Sequence, residues 1–308
     1  MPIEEMEKIW MNGALVPWGE AKVHVLSHAL HYGSGVFEGI RCYKTVKGSA
    51  VFRLREHLRR LERSAKLYYM PVPYSLEELV RATHEVIRAN GLEACYIRPL
   101  VFRGYGEMGI FPMNAPVDAI IAVWPWGAYL GEEGVRRGIR AKVSSIQALD
   151  HTSLARAAKA SGHYLNSILA KVEVTSCGYD EAIMLNEHGH VAEGSGENIF
   201  VVYGRKLITP PLVDGALAGL TRDSVMVIAR DEGYEVVEAS LNRTDLYLAD
   251  EAFFTGTAAE MVPLVEVDDR KVGRGVPGPV SRQLLELFQQ ALVGKLDRYK
   301  EWNEYVHD

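Results

Sequence analysis

The sequence predicts an α+β fold with two domains, for three reasons. The chain has 308 residues, which is enough to form two hydrophobic cores. Segments with the apolar period of strands are interspersed with segments that have the period of helices. Several predicted strands are joined by turns of only a few residues, as at residues 186–189 and 203–205. Short turns of this kind favour a mixed sheet or a barrel over a doubly wound parallel sheet.

The first predicted domain, residues 1–124, is a small α/β domain. Asn12 and Gly13 form a dipeptide that is typical of a tight hairpin turn. Ser75 and Glu78 form a capping box, and the helix that it begins is expected to end near Asn90. The hydrophobic period predicts the other elements, which are a strand at 51–54, a helix at 55–69, and strands at 94–102 and 117–124.

An interdomain loop is predicted at residues 125–138, where Pro125 and Gly127 break both periods. Residues 139–308 form the larger domain, which is expected to contain a mixed sheet or pseudo-barrel. An amphipathic helix is predicted at 162–177, and its apolar face carries Leu165, Ile168, Leu169 and Val172. The other elements are strands at 140–146, 181–185, 199–202, 206–208, 235–238 and 252–254, and helices at 221–231 and 279–293.

Composition excludes several classes of protein. Apolar residues make up 48% and charged residues 24% of the chain, as in ordinary globular proteins. The net charge of -6 argues against nucleic acid as a partner. No apolar run reaches the ~18 residues of a membrane span, and the acidic start is unlike a signal peptide. The spacing of Cys42, Cys95 and Cys177 indicates neither a disulfide framework nor a zinc site, so we expect a cytoplasmic protein without a metal.

Three short motifs carry residues that are suited to catalysis. Lys159 lies among small residues in Ala-Ala-Lys-Ala-Ser-Gly, and Tyr164 follows it by five positions. Glu193 opens the string Glu-Gly-Ser-Gly-Glu-Asn, and Thr257 lies in Gly-Thr-Ala-Ala-Glu. Each residue also has an ordinary explanation when it is considered alone. Lysines are mostly solvated, a tyrosine often lies at the edge of a core, and a glutamate beside glycine usually belongs to a solvated turn.

Together these motifs resemble those of the fold-type IV enzymes that use pyridoxal 5′-phosphate (PLP), and most closely the branched-chain amino acid aminotransferases. The resemblance covers residues 9–279 and implies a small N-terminal domain and a larger PLP-binding domain. It implies that Lys159 forms the Schiff base with PLP and that pyridoxamine phosphate appears during turnover. Tyr164 would bond to the 3-oxygen of the cofactor, and Glu193 would keep its ring nitrogen protonated. Glu197 is the alternative to Glu193.

The resemblance also assigns the residues that would bind the cofactor. Its phosphate would be held by Arg60, Leu220, Thr221 and Thr257. By pattern alone, Arg60 is one of several basic residues on a solvated helix. The full set expected to bind the cofactor is Lys159, Arg60, Tyr164, Glu193, Gly196, Asn198, Leu217, Leu220, Thr221, Gly256 and Thr257.

Two further motifs concern the substrate. Residues 31–41 are similar to the family signature H-Y-G-x-x-V-F-E-G-x-R, and Tyr96-x-Arg98-Pro99 is similar to the motif of the L-specific branched-chain enzymes. Arg98 would bind a second carboxylate, and Tyr96 the α-carboxylate. The residues expected to line the substrate pocket are Phe37, Gly39, Tyr96, Arg98, Trp126, Tyr129, Thr257 and Ala258, with Tyr32, Met108 and Ile110 from a partner subunit.

The resemblance therefore implies a homodimer, possibly within a higher oligomer, that moves amino groups between L-Leu, L-Ile or L-Val and 2-oxoglutarate. Alternatives on the same fold are a D-amino acid aminotransferase or an aminodeoxychorismate lyase, both of which the Tyr96–Pro99 motif disfavours. An R-selective amine transaminase could reuse Tyr96 and Arg98. A PLP-binding protein without turnover is a further alternative, and a protein that binds no PLP would require Lys159 to be solvated.

Overall fold

The computed structural model describes residues 3–127, 131–150 and 152–307 and divides into two compact units. The first unit comprises Met1–Trp126, Ala158–Gly162 and Gln290–Asp308, and the second comprises Gly127–Ala157 and His163–Gln289. The sequence-based domain bounds differ from these units, because they assign residues 158–162 and 290–308 to the larger domain. A cut at a single linker cannot represent a unit that is built from three separate segments.

The first unit contains an eight-stranded sheet in which all the pairings are antiparallel. The strand order is β17-β5-β4-β6-β7-β1-β2, and β3 pairs with β6. The strands are β1 (Lys8–Met11), β2 (Ala14–Pro17), β3 (Gly35–Phe37), β4 (Ile40–Thr45), β5 (Gly48–Phe52), β6 (Cys95–Arg103), β7 (Val117–Trp124) and β17 (Asn303–Tyr305). The helices are α1 (His28–Tyr32), α2 (Leu54–Leu67) and α3 (Leu76–Ala89).

Local chemistry explains several boundaries in the first unit. Asn12 and Gly13 have φ of 48° and 93°, which is the conformation that a tight β1–β2 hairpin requires. The predicted capping box of Ser75 and Glu78 is present at the start of α3. The predicted strand at 51–54 is wrong at its end, because Arg53 adopts a left-handed conformation with φ of 52°. That residue ends β5 and begins α2, whose residues Leu58 and Leu61 are buried in the core.

The second unit contains a nine-stranded mixed sheet, as the short turns predicted. Its order is β10-β9-β8-β15-β14-β11-β12-β13, and three pairings, β8–β9, β8–β15 and β12–β13, are parallel. The strands are β8 (Ile139–Val143), β9 (Glu181–Leu185), β10 (Val191–Gly194), β11 (Asn198–Tyr203), β12 (Lys206–Thr209), β13 (Glu235–Glu238), β14 (Glu251–Gly256), β15 (Glu260–Val267) and β16 (Arg270–Lys271). The helices are α4 (Gly131–Arg137), α5 (Tyr164–Ser176), α6 (Leu220–Asp231), α7 (Arg243–Leu248) and α8 (Pro279–Leu292).

Helices α4 and α5 differ from the sequence-based expectations. Helix α4 occupies much of the segment at 125–138 for which a loop was predicted. Helix α5 forms where its period predicts, but it buries Ala170 and Val174, and the larger apolar side chains of the other face are exposed. The exposed fractions are 69% for Leu165, 55% for Ile168, 59% for Leu169 and 59% for Val172. Among the described residues, no helix is both long enough and apolar enough to cross a bilayer.

Candidate active site

The main chain of Lys159 is held on both sides within the first unit. Its N–H donates to Ser64 Oγ on α2 at 3.0 Å, and its carbonyl accepts the N–H of Phe37 at 3.0 Å. The next residue, Ala160, forms an antiparallel bridge with Val36. The side chain is half-buried, and Nζ lies 5.1 Å from the centre of the Phe37 ring. The amine is therefore carried by a fixed backbone beside an aromatic face.

Arg60 belongs to a buried cluster that is centred on Glu38. Arg60 Nε donates to Glu38 Oε1 at 2.7 Å, and Arg60 Nη2 donates to Oε2 at 2.8 Å. His57, one turn earlier on α2, bonds through Nδ1 to Glu38 Oε2 at 2.7 Å. Burial opposes ionisation of Glu38, but Arg60 and His57 outweigh it and lower the pKa of this carboxyl to about 2. Burial lowers the pKa of His57, so the neutral ring donates to an ionised carboxylate.

Arg98 is enclosed by aromatic rings on β6 and its neighbours. The guanidinium carbon lies 4.7 Å from the centre of the Phe37 ring, 5.4 Å from that of Tyr96 and 6.0 Å from that of Trp124. Arg98 Nε donates to the carbonyl of Glu38 at 3.0 Å, and Nη2 donates to Tyr96 Oη at 3.2 Å. Aromatic faces attract the cation and also offer an apolar surface. This environment combines one positive charge with apolar walls.

The other residues predicted for the pocket wall in the first unit are Gly39, Trp126 and Tyr129. A Cβ atom at Gly39 would lie 2.1 Å from Tyr96 Oη, so only glycine lets this hydroxyl approach the main chain. The Trp126 ring lies 4.9 Å from that of Tyr96, which brings these two predicted residues together. Tyr129 lies outside the described residues.

The three residues expected to act in a partner subunit are exposed and lie close to one another. Tyr32 is 48% exposed, Met108 45% and Ile110 94%. His28 connects them, because its ring stacks on Tyr32 at 4.4 Å and its Nε2 lies 2.8 Å from the carbonyl of Gly109. The structure therefore places these side chains on one exposed patch of the first unit.

In the second unit, the carboxylate of Glu193 at the end of β10 accepts three hydrogen bonds. Arg156 Nη2 donates to Oε1 at 2.8 Å, while the Leu217 N–H at 2.9 Å and Asn198 Nδ2 at 3.3 Å donate to Oε2. A guanidinium and two amide groups stabilise the ionised form of a carboxylate. The side chain is 15% exposed, so it is neither a solvated turn residue nor fully enclosed. Glu193, Asn198 and Leu217, all predicted to bind the cofactor, form one hydrogen-bonded group.

Glu197, the alternative to Glu193, lies in a different environment. It is buried, and burial together with the nearby carboxylate of Glu181 raises its pKa to about 8. Glu181 itself accepts hydrogen bonds from Lys171 Nζ at 2.6 Å and Ser195 Oγ at 2.6 Å. A carboxyl group that is protonated at neutral pH is a poor partner for a protonated ring nitrogen. The local chemistry therefore favours Glu193.

The predicted phosphate residues Leu220 and Thr221 begin helix α6. Its N-cap is Gly219, where a Cβ atom would lie 1.9 Å from Asn198 Oδ1, so the close packing of these two segments requires glycine. The start of a helix presents main-chain N–H groups and a partial positive charge, which suit a phosphate. This helix start lies beside the group formed by Glu193, Asn198 and Leu217.

The remaining predicted residues in the second unit lie at the ends of neighbouring elements. Gly256 ends β14, and a Cβ atom there would lie 3.3 Å from Glu197 Cγ and 3.6 Å from the carbonyl of Gly196. The two glycine-containing motifs are therefore in contact. Thr257 and Ala258 follow Gly256 in the turn before β15 and are half-buried. Tyr164 is the first residue of α5 and is also half-buried.

Three residues of these clusters were not predicted from the sequence. Arg156 pairs with Glu193 across 37 positions, a contact that no local pattern signals. Glu38 and His57 form the buried cluster with Arg60. Glu38 is part of the quoted H-Y-G-x-x-V-F-E-G-x-R signature, so a signal for it was present in the sequence, whereas none was present for His57.

The donor set fits PLP. Within the first unit, Lys159 supplies an amine beside an aromatic ring, and a bidentate ion pair orients Arg60. Within the second unit, Glu193 supplies an ionised carboxylate, and α6 supplies a helix start that is closely packed at Gly219. These are the groups that a Schiff base, a phosphate and a protonated ring nitrogen require.

Comparisons with known proteins agree with this chemistry. A family model described as amino-transferase class IV matches residues 35–267. The chain belongs to this family. It is 47% identical, over the whole of both chains, to a protein of Escherichia coli (strain K12) named branched-chain-amino-acid aminotransferase.

Two solved structures are similar throughout the chain. The branched-chain amino acid aminotransferase of T.th. with pyridoxamine 5′-phosphate has a TM-score of 0.96 and 48% identity, covering 99% of this chain and 100% of that one. The same protein complexed with N-(5′-phosphopyridoxyl)-L-glutamate has a TM-score of 0.93 and 47% identity, covering 98% and 99%. The class IV membership and the fold predicted from the sequence are confirmed.

Proposed function

We propose that this class IV aminotransferase transfers amino groups between L-Leu, L-Ile or L-Val and 2-oxoglutarate, giving branched 2-oxo acids and L-glutamate. The observation that carries the proposal is the environment of Arg98, one guanidinium enclosed by the rings of Phe37, Tyr96 and Trp124. A single site of this kind offers apolar walls to a branched side chain and a cation to the second carboxylate of glutamate. Full-length similarity to enzymes named branched-chain-amino-acid aminotransferase supports the same activity.

PLP, when bound, would supply the electron-withdrawing ring that makes loss of the α-proton possible. Lys159 would hold the cofactor through Nζ and then, once free, take the proton from the α-carbon of the amino acid. Glu193 would pair with the protonated ring nitrogen, and Arg156 keeps this carboxylate ionised and oriented. Arg60 and the first residues of α6, Leu220 and Thr221, would bind the phosphate.

A homodimer with shared sites is part of the proposal. Tyr32, Met108 and Ile110 lie together on the surface and are each at least 45% exposed. Apolar side chains exposed in this way are typical of a surface that another subunit covers. The exposed apolar face of α5 supports self-association as well.

We place the protein in the cytoplasm, because Cys42, Cys95 and Cys177 are all free thiols. Fractionation of cells that produce the chain would test this location, and recovery of the protein outside the cytoplasmic fraction would contradict it.

The activity is tested by incubating the PLP-loaded protein with L-leucine and 2-oxoglutarate and measuring L-glutamate. We expect turnover with the L-amino acid and none with D-leucine, D-alanine or an (R)-amine. The variant Lys159→Ala, with the same cofactor added, is the matched control and should form no glutamate. Turnover restricted to D-alanine or to an (R)-amine would instead assign the chain to one of the other activities of this fold.

A further inference from the structure

Glu38 contacts both of the arginines in the first unit that are assigned to ligands. Its side chain accepts two hydrogen bonds from Arg60, at 2.7 and 2.8 Å, and its main-chain carbonyl accepts one from Arg98 at 3.0 Å. The residue lies between β3 and β4 and is 0% exposed. A buried carboxylate is costly unless it is paired and hydrogen-bonded, so its presence here calls for a physical explanation.

The pairing of Glu38 with Arg60 has a defined geometry. Nε and Nη2 of the guanidinium face Oε1 and Oε2, which is the bidentate arrangement that fixes the plane of an arginine. His57 occupies a further lone pair of Oε2 at 2.7 Å. Because the histidine ring is neutral, the three side chains together carry no net charge. The carboxylate is therefore held in one orientation and in turn fixes one orientation of Arg60.

Orientation matters for the assigned role of Arg60. An arginine has several rotatable bonds, and holding it in one geometry costs conformational entropy. An arginine that is already fixed before its ligand arrives binds a planar or tetrahedral anion without that cost. The face of α2 that carries His57 and Arg60 also carries Ser64, which binds the main chain of Lys159 at 3.0 Å. One helical face thus supports both the phosphate arginine and the lysine.

We propose that Glu38 is a positioning residue for the phosphate of the cofactor, acting by holding the guanidinium of Arg60 in its bidentate pair. The inference rests on the proposed function, since it assumes that Arg60 binds this phosphate. Glu38 itself does not touch the cofactor. The opposite expectation is also physical: a carboxylate beside Arg60 partly cancels its charge, and its removal would then strengthen phosphate binding.

The test separates the phosphate from the rest of the cofactor. The dissociation constants of PLP and of pyridoxal, which lacks the phosphate, are measured by absorbance and fluorescence on the full chain after removal of the cofactor. Their ratio reports the contribution of the phosphate. We expect Glu38→Gln to reduce the ratio about tenfold, the size of effect found for hydrogen bonds to charged groups. Arg59→Ala, an exposed arginine on the same helix, should leave the ratio unchanged.

A double-mutant cycle shows whether Glu38 acts through Arg60. The variant Glu38→Gln/Arg60→Ala should have the same ratio as Arg60→Ala alone, because Glu38 has nothing left to position. Additive losses, an unchanged ratio, or a tighter binding of PLP in Glu38→Gln would each overturn the proposal. An equal weakening of PLP and pyridoxal would overturn it too, because it would show a general structural role instead.

One further variant protects the test against misfolding. If Glu38→Gln does not fold, Arg60→Lys keeps the buried charge pair but loses the fork of donors. We expect it to lose phosphate preference about tenfold, and an unchanged ratio would contradict the proposal. Failure of the proposed function has a different signature, since the wild-type chain would then show no preference for PLP over pyridoxal.

Discussion

Arg98 allows one pocket to accept two kinds of side chain. The variant Arg98→Met keeps an apolar side chain of similar length but removes the cation. We expect kcat/KM for L-glutamate and 2-oxoglutarate to fall about 100-fold, the range for a lost charge-assisted hydrogen bond, while the value for L-leucine changes by less than about threefold. Steady-state kinetics with each substrate measures both values. Equal losses for leucine and glutamate would contradict the role of Arg98.

Glu197 predicts a pH dependence of stability. Burial and Glu181 raise the pKa of Glu197 to about 8 in the folded protein, and Lys171 and Glu193 are the other charged groups near it. The unfolded chain releases this proton near the ordinary carboxyl pKa of ~4.3. The folded state therefore binds more protons between about pH 5 and 8, and its stability falls as pH rises through that range.

The variant Glu197→Gln tests this dependence, because an amide replaces the protonated carboxyl and does not titrate. Urea denaturation at several pH values should show a flatter profile for the variant between about pH 5 and 8. Glu193→Gln serves as the comparison at a carboxylate that is already paired with Arg156. If the wild-type protein and Glu197→Gln have parallel profiles, Glu197 is ionised in the folded state.

At the scale of elements, Ser75 makes a measurable contribution to helix α3. Its side chain accepts the N–H of Glu78, and the Glu78 carboxylate accepts the Ser75 N–H at 2.7 Å. We expect Ser75→Ala to lower the free energy of unfolding by about 1 kcal/mol. The control Ser75→Asp keeps an acceptor and should retain most of the stability. Urea denaturation measures both, and equal losses would show that the cap is not responsible.

The ends of elements were predicted well where the cause is local. The capping box of α3 and the Asn12–Gly13 turn depend on residues that are close in the sequence. Strand β15 was missed because it contains Pro263, and proline is disfavoured inside a central strand. The period of α5 predicted the helix correctly, but it cannot tell which face the rest of the chain covers.

At the scale of the whole molecule, sequence motifs predicted the family and the activity, which the comparisons confirm. Lys159 and Glu193 could be singled out because each lies in a distinctive string. Their supporting partners could not. Arg156 and Glu193 meet across 37 positions, and His57 meets Glu38 across 19. Such pairs form only when strands and helices are assembled, and a single sequence contains no record of that assembly.

Shared sites in a homodimer predict complementation between two inactive variants. Lys159→Ala removes the lysine, and Tyr32→Asp places a charge on the exposed patch that is proposed to reach the partner. When both are co-expressed, half of the dimers are mixed, and each mixed dimer has one site with both residues intact. We expect about one quarter of the wild-type activity. Activity no higher than that of the separate variants would contradict shared sites.

The most direct test of the central claim is the visible absorption spectrum of the PLP-loaded protein before and after addition of substrate. We expect L-leucine to convert the band of bound PLP to that of the pyridoxamine form, 2-oxoglutarate to restore it, and D-alanine to have no effect. A response to D-alanine alone would keep the family but contradict the branched-chain L-amino acid activity. A protein that shows no cofactor band, either as isolated or after PLP is added, would contradict the assignment of the site itself.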